Sequence, residues 1–290
     1  ACALNFLDIF VRRGMPAKKT ELPHISGGDG AGVIAAVGSG VTTVRVGQRV
    51  LIDPAIPEGA LGEDAQGVMA EFAVVSAANV IPLPDDVTFE HAAALPIGYG
   101  TAWRLMMDRG QVRLGETVFI HGASGGVGTA CVQIGKLAGA TIYAGSSSAD
   151  KRKRLTELGA DAVIDTSTAD WGKQLWQLTG KRGVDVVVDY SGKDTWPTSV
   201  RSVRKGGRIL TCGATSGFEA VTDLRYVWTR EETIMGSDGW TREGLVALVD
   251  LVRRGRIRPV IDRVLPLAEA RAAEDALERR EAFGKILLVP

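Results

Sequence analysis

Cysteine is scarce. Cys2, Cys131 and Cys212 are widely spaced and odd in number, which argues against both a disulfide framework and a cysteine-based zinc site. Histidine is equally sparse, and His24, His91 and His121 show no ligand spacing, so no metal site is expected. Charge of one sign is missing too: Lys plus Arg equals Asp plus Glu at 34 each, leaving no global field to favour nucleic acid or an anionic membrane. No apolar run is long enough to span a bilayer, and Asp250 and Arg253-Arg254 keep even the most apolar helix amphipathic. These absences point to a soluble protein in a reducing, cytoplasmic setting. At 290 residues the chain is long for one core and comfortable for two domains. It opens on Ala1 without methionine and reads directly into structured-looking sequence, so a preceding N-terminal piece, with any targeting signal, is expected.

Glycine, by contrast, is abundant and placed with a pattern. Thr117-Val118-Phe119-Ile120-His121 is a β-branched and aromatic run; Gly122-Ala123-Ser124-Gly125-Gly126-Val127-Gly128 follows at once and leads into the helix-compatible 129–137. Strand, glycine turn and helix in that order suit a dinucleotide. Glycines allow a tight turn, let a pyrophosphate approach bare backbone, and let the helix pack close to the strand. The helix N-terminus offers free N–H groups and partial positive charge to the phosphates. The fingerprint has Ala123 in its first glycine slot, so its weight comes from the strand before and the helix after.

Taken in order, residues up to about 84 read as short β-like runs, at 33–37, 49–52 and 72–75, separated by Gly and Pro, which suggests a small, mostly β unit. The segment 58–67 reads as an exposed loop. Helical character begins with Thr88 as a cap, breaks at 96–100, and resumes at 101–107. From Glu116 onward strands and helices alternate, with strands expected at 141–144, 162–164, 184–189, 208–212 and 232–236. Such alternation implies a doubly wound parallel sheet, with ligands beyond the carboxyl ends of its strands, so Gly122, Tyr190, Cys212 and Gly213 should gather around one crevice. A helix at 245–252 stops at Gly255, and one at 267–280 leads into 286–289, expected to return to the first domain.

NAD-selecting folds place an acid after the second strand to hold the ribose 2′-hydroxyl. Here Ser146-Ser147-Ser148 and the cations 151–154 follow instead. Hydroxyls and cations suit a 2′-phosphate and favour NADP(H). The competing reading makes 151–154 a solvated helix face and Ser147 or Ser148 an N-cap.

The chain resembles the medium-chain dehydrogenase/reductases, and among them the zinc-free quinone oxidoreductase-like branch. The resemblance rests on Ala3-Leu4-Asn5-Phe6-Leu7-Asp8, Gly30-Ala31-Gly32-Val33, Gly47-Gln48-Arg49-Val50, Ala92-Ala93-Ala94-Leu95-Pro96, the glycine turn, Gly183-Val184-Asp185-Val186-Val187-Val188-Asp189 and Phe283-Gly284-Lys285. It implies an α/β protein: a Rossmann doubly wound parallel sheet plus a mostly β GroES-like catalytic domain. The catalytic domain would take 1–99 and 239–290 and the NADP-binding domain 100–238, with hydride transfer in the cleft. It also implies further strands before the Asn5 segment, and homodimerisation through the strand near Ile234. In the zinc branch a cysteine ligand stands at Asn5 and a His-Glu pair at Gly28-Asp29; neither thiolate nor imidazole is present here.

By the same resemblance Gly125, Gly126, Val127 and Gly128 would hold the pyrophosphate, Ser147 and Lys151 the 2′-phosphate, and Gly213 and Ala214 the adenine or ribose edge. Thr101, Tyr190, Lys285 and Arg280 complete the expected cofactor contacts, with Tyr190 standing where a serine is usual. Asn5 would lie beside the nicotinamide and donate to a developing oxyanion. Asp8, weighted toward a structural role, and Tyr99, a candidate proton donor, are weaker catalytic candidates. The implied activity is hydride transfer from NADPH to a quinone or activated enone without metal. Two alternatives stay open: an NAD(P)-dependent alcohol/aldehyde dehydrogenase-like enzyme with a degenerate zinc site, and a cofactor-binding scaffold or redox sensor with little turnover.

Overall fold

The computed structural model describes residues 1–15 and 20–290, and the chain divides into two compact units, Ala1–Gly100 with Trp240–Pro290, and Thr101–Gly239. In the first unit the chain forms β1 (Cys2–Ala3), helix α1 (Phe6–Arg13), β2 (Asp29–Val33), β3 (Arg49–Ile52), the small hairpin β4 (Ala55–Ile56) and β5 (Gly59–Ala60), and β6 (Val80–Pro82). The second unit contributes β7 (Thr117–Ile120), β8 (Thr141–Ser146), β9 (Ala162–Asp165), β10 (Val184–Val188), β11 (Val203–Thr211) and β12 (Thr233–Gly236). Finally β13 (Ile261–Pro266) and β14 (Lys285–Val289) rejoin the first unit. No helix among the described residues is long and apolar enough to cross a membrane.

The first unit is built on a six-stranded sheet in the order β13-β14-β1-β2-β3-β6. The two chain ends pair directly, Cys2 with Leu288 and Ala3 with Leu287, antiparallel. Residues 286–289 therefore return to the first unit, driven by the burial of Ile286 and Leu288 against Cys2, Leu4 and the helix Ala270–Glu278, and of Leu287 on the opposite face against Ala3 and Ala94.

Four local expectations fail along this part of the chain. The run 33–37 yields to a strand displaced toward its N-terminus, Asp29–Val33, with glycines inside it. A Cβ at Gly30 would lie 2.8 Å from Val68 Cγ2, so close packing rather than a turn demands that glycine. Residues 72–75 form no strand: Phe72 and Val74 are exposed, and the third antiparallel partner is Val80–Pro82, whose Val80 and Ile81 are buried. Burial outweighs β-propensity at this edge. The supposedly exposed 58–67 carries the β5 half of the hairpin and buries Ala60, Leu61 and Gly67. The break expected at 96–100 is also absent. The chain stays helical from Phe89 to Arg109, widening to π geometry at Leu95–Gly100 and again at Arg104–Arg109.

The second unit is the doubly wound half. Its sheet runs β12-β11-β10-β7-β8-β9, and every pairing is parallel. Both faces are covered, so the two central strands are largely apolar: Val118, Phe119 and Ile120 on β7 and Val186, Val187 and Val188 on β10 have no exposed surface. Asp185 is tolerated inside β10 because Thr117 N–H donates to it at 2.7 Å and the guanidinium groups of Arg182 and Arg204 pair with it. β7 and β10 are neighbours, so their carboxyl ends place His121 and Gly122 beside Asp189, Tyr190 and Ser191.

Candidate functional site

The glycine turn after β7 takes the shape its composition demands. Gly122 sits at φ +62°, and Gly125 is the N-cap of helix Gly126–Leu137. The first helical rung runs from Thr129 N–H to Gly125 O at 2.9 Å, which leaves the amides of Gly126, Val127 and Gly128 ahead of the ladder. Gly128 has no room for a side chain: a Cβ would lie 2.6 Å from Ala123 Cα and 2.6 Å from the Tyr190 hydroxyl. Gly125 differs, with nothing nearer than Gly122 O at 3.8 Å. Together these observations describe three amides at the start of a twelve-residue helix, an arrangement that fits a pyrophosphate.

The turn is held from the next strand. Tyr190 donates its hydroxyl hydrogen to Gly122 O at 2.9 Å, and burial holds its phenol well above the usual tyrosine range. Tyr190, expected among the cofactor contacts, thus braces the turn itself. His121 Nδ1 lies 3.1 Å from Ser191 Oγ, and its ring meets edge-on both Phe119 and Trp171, which stack on each other. Burial pushes the imidazole below its ordinary value, opposed by the Asp189 charge. Asp189 is wholly buried and accepts from Ser191 N, Gly192 N, Thr195 Oγ1 and Ser199 Oγ, which pins the loop that carries Tyr190. In the sequence Asp189 reads only as the end of a strand, without this anchoring role. An acid closing an apolar run, with Ser and Thr close behind, was the available signal.

Beyond β8, Ser147 is exposed and Ser148 caps helix Ala149–Glu157 by accepting from Lys151 N at 3.4 Å. Arg152 is occupied: it donates to Ser146 O at 2.9 Å and pairs with Asp165 at 3.0 Å. The cations 151–154 therefore do not act as one uniform patch. Gly213 lies against Tyr190, and Ala214 packs on Gly192, where a Cβ would approach within 2.8 Å. Thr101 is buried in the second unit, while Arg280 is exposed in the first at φ +57°. Burial and then Asp238 push the Cys212 thiol up to about 12, away from the thiolate form.

In the first unit Asn5 belongs to a buried polar cluster. Its Nδ2 donates to Asp29 Oδ2 at 2.9 Å and weakly to Ala3 O at 3.4 Å, while its Oδ1 accepts from Lys285 Nζ at 2.5 Å. Lys285 Nζ also pairs with Asp29 Oδ2 at 2.8 Å, and Ile97 N–H donates to Asp29 Oδ1 at 2.7 Å. Lys285, expected to touch cofactor, is 2% exposed and spends its ammonium here. Asp8 is 2% exposed and accepts from Asn5 N at 2.7 Å, closing the first turn of α1. Tyr99 has no exposed surface, and its hydroxyl accepts from Val260 N at 3.0 Å. It is a core tyrosine, so a role delivering protons does not suit it.

Burial pushes the Asp8 carboxyl up to about 7, against the opposing hydrogen bond from Asn5. The native state therefore keeps a proton that the unfolded state releases above about 4. Stability should fall as pH rises from about 4 to about 7, by up to about 1.4 kcal/mol per unit, and level off above. Urea midpoints at pH 5 and pH 7 should show this loss in the wild type and a smaller one in Asp8→Asn.

The residues standing at the zinc branch's ligand places do not suit that metal. Asn5 offers an amide, and Asp29 is already neutralised by an ammonium. A Cβ at Gly28 would lie 2.9 Å from Ile97 Cδ1 and 3.1 Å from Leu61 O, which leaves no space for an imidazole.

Residues 1–85 match the alcohol dehydrogenase GroES-like domain and residues 126–254 the zinc-binding dehydrogenase family. A quinone oxidoreductase of Pseudomonas aeruginosa is 34% identical over all of this chain and 89% of its own length. A solved NAD-dependent alcohol dehydrogenase superposes with a TM-score of 0.94 at 37% identity, covering 100% of this chain and 89% of that one. A 2-octenoyl-CoA carboxylase reductase, solved with NADP and 2-octenoyl-CoA, gives 0.87 at 33% identity over 98% of this chain and 72% of that one. With a GroES-like unit, an NAD(P)-binding parallel sheet and relatives matched over its whole length, the chain is an oxidoreductase and belongs to the medium-chain dehydrogenase/reductase superfamily.

Proposed function

We propose that this enzyme belongs to the zinc-free, quinone oxidoreductase-like branch and passes hydride from NADPH to a quinone or an activated enone. The observation that carries the reading is the Asn5–Asp29–Lys285 cluster beside a side-chain-free Gly28, where a metal-dependent relative would need ligands. A quinone tolerates the absence of a metal because its reduced oxyanion is stabilised by the ring, whereas a simple ketone lacks that help. The bound nicotinamide supplies the hydride. The amides of Gly126, Val127 and Gly128, with Gly125 giving close approach, would bind the pyrophosphate, and Ser147 with Lys151 the 2′-phosphate. Gly213, Ala214, Thr101 and Arg280 are assigned to the cofactor's remaining edges. Lys285 and Asp29 hold the Asn5 amide in one orientation, and its more weakly bonded hydrogen is the one proposed for the acceptor oxygen. With Tyr99 sealed in the core, the proton is assigned to solvent.

Two relatives support the acceptor class: the quinone oxidoreductase by its name and the carboxylase reductase by its 2-octenoyl-CoA, while NADP in the latter supports the cofactor. Turnover with NADPH should favour 9,10-phenanthrenequinone over simple aldehydes by at least about a hundredfold in kcat/KM and be indifferent to chelators, a ratio near 3 kcal/mol of transition-state preference. Faster, chelator-sensitive aldehyde turnover would instead favour the alcohol dehydrogenase reading, which the 37% identical structure keeps in view. NADPH binding with no turnover on a broad acceptor panel would point to a scaffold or sensor.

A homodimer through β12 is part of the same proposal. β12 is an edge strand, and Phe218, Val221, Leu224, Trp228 and Ile234, all exposed, lie in the segment leading to it or on it. Light scattering should give twice the 30.7 kDa chain mass, and Ile234→Lys should return it to the single-chain value. The free Cys2, Cys131 and Cys212 fit the cytoplasmic assignment.

A further inference from the structure

We propose that the parallel-sheet unit carries a second small-molecule site, a cleft for a small aromatic anion between helices Trp171–Leu178, Trp196–Ser202 and Leu224–Thr229. The cleft is open to solvent and offers about 300 Å³, and Lys173, Trp176, Arg201, Tyr226 and Arg230 line it. That volume lies at the small end of ligand pockets. It goes beyond the acceptor chemistry proposed above and does not depend on it.

Backbone packing builds the cleft. Gly172 faces Thr198, whose Cγ2 would stand 2.5 Å from a Cβ there, so the first two helices approach as only a glycine permits. Arg230 is fixed in place: its Nη1 donates to Arg201 O at 2.7 Å and to Val203 O at 2.8 Å. Its guanidinium carbon lies 4.8 Å from the Tyr226 ring centroid and 5.9 Å from that of Trp176. A cation thus bridges two aromatic walls before any ligand arrives, and the ordering cost of binding falls accordingly.

Charge then selects the ligand. Lys173, Arg201 and Arg230 face one lining acid, Asp170. Neither Lys173 nor Arg201 forms a close ion pair among the described residues: the Arg201 charge is felt at Asp223, which Arg225 already pairs, and the one hydrogen bond of the Arg201 side chain runs to Thr198 Oγ1, at 3.3 Å. Arg230 has Glu232 at 4.0 Å, but that side chain is fully buried and its carboxylate oxygens have no hydrogen-bond partner among the described residues. Burial pushes Glu232 up to about 7, which reduces the negative charge it contributes near neutrality. An anion would meet these cations, and a flat ring would cover Trp176, which is 36% exposed.

The cleft is distinct from the dinucleotide edge. Arg201 and Ser202 immediately precede β11, whereas Cys212 and Gly213 follow it. Val203 pairs with Val184 and Leu210 with Val188, so the two edges are separated by at least about 13 Å along the strands.

Calorimetric titration of the whole chain with salicylate, phenyl phosphate, inorganic phosphate and benzyl alcohol tests this. One equivalent of at least one aryl anion should bind with Kd below about 1 mM, at least about tenfold tighter than inorganic phosphate or the neutral alcohol. The exposed pair Lys173→Gln/Arg201→Gln should weaken that binding at least about tenfold, leaving NADPH affinity and Tm unchanged. The proposal is overturned by an absence of saturation at about 10 mM. It is equally overturned by equal affinity for inorganic phosphate, which would mark simple anion attraction, or by an unchanged Kd in the double variant, which would put the ligand elsewhere.

Discussion

Gly128→Ala should weaken NADPH binding by at least about a hundredfold and destabilise the apo protein by roughly 2 kcal/mol, the range of core overpacking. The added methyl would lie 2.6 Å from both Ala123 Cα and the Tyr190 hydroxyl. Neither neighbour can give way cheaply. Ala123 is buried backbone whose N–H is bonded to Gly145 O at 2.9 Å, and Tyr190 is held to Gly122 O. The helix must therefore move off the turn and carry the amides of Gly126 and Val127 with it. Losing two or three hydrogen bonds to a charged phosphate at about 1.5 kcal/mol or more each gives the stated fold-change. Gly125→Ala provides the contrast. Its φ of −81° suits alanine and its surroundings leave 3.8 Å, so the apo Tm should hold while NADPH affinity falls where the methyl meets the pyrophosphate. If both variants bind NADPH as the wild type does, the pyrophosphate does not sit on this turn.

The contrast between these two glycines shows where sequence reading succeeds. The β7–turn–helix motif is written within some twenty neighbouring residues, and period and glycine spacing suffice to place it. The same holds for β8, β9, β10 and β12, bounded by helices and turns, whereas β11 starts at Val203, well ahead of the apolar part of the run 208–212. Contacts made over long separations leave no such trace. Tyr190 and Gly122 are 68 residues apart, and Lys285 and Asp29 are 256 apart, so their partnership appears only when both chain ends enter one sheet. Composition also misleads where burial decides. The apolar 72–75 run reads as strand yet points Val74 wholly into solvent, while Asp29 and Lys285, with two of the chain's most water-loving side chains, are at most 2% exposed. Resemblance singles out Lys285, but the group its ammonium holds is not legible in the sequence.

That buried pair yields the second large effect. Lys285→Met should destabilise the protein by about 3–5 kcal/mol, because removing one partner leaves the other charge buried and uncompensated. Asp29 has no exposed surface, and only Ile97 N–H and the Asn5 amide would remain to it. The effect should come from the orphaned carboxylate rather than from lost favourable pairing. Asp29→Leu/Lys285→Met, apolar at both places, should therefore recover most of the loss and unfold in urea near the wild-type midpoint. Activity should part company with stability in that double variant. Asn5 would lose the partner of its Oδ1 and the firmer partner of its Nδ2, leaving the amide free to rotate. A stable double variant with quinone turnover at least about tenfold below wild type and unchanged NADPH affinity is the expected result for an Asn5 that must be aimed at the acceptor. Full turnover in that background would mean the cluster serves only to join the two chain ends, and Asn5 would leave the catalytic proposal.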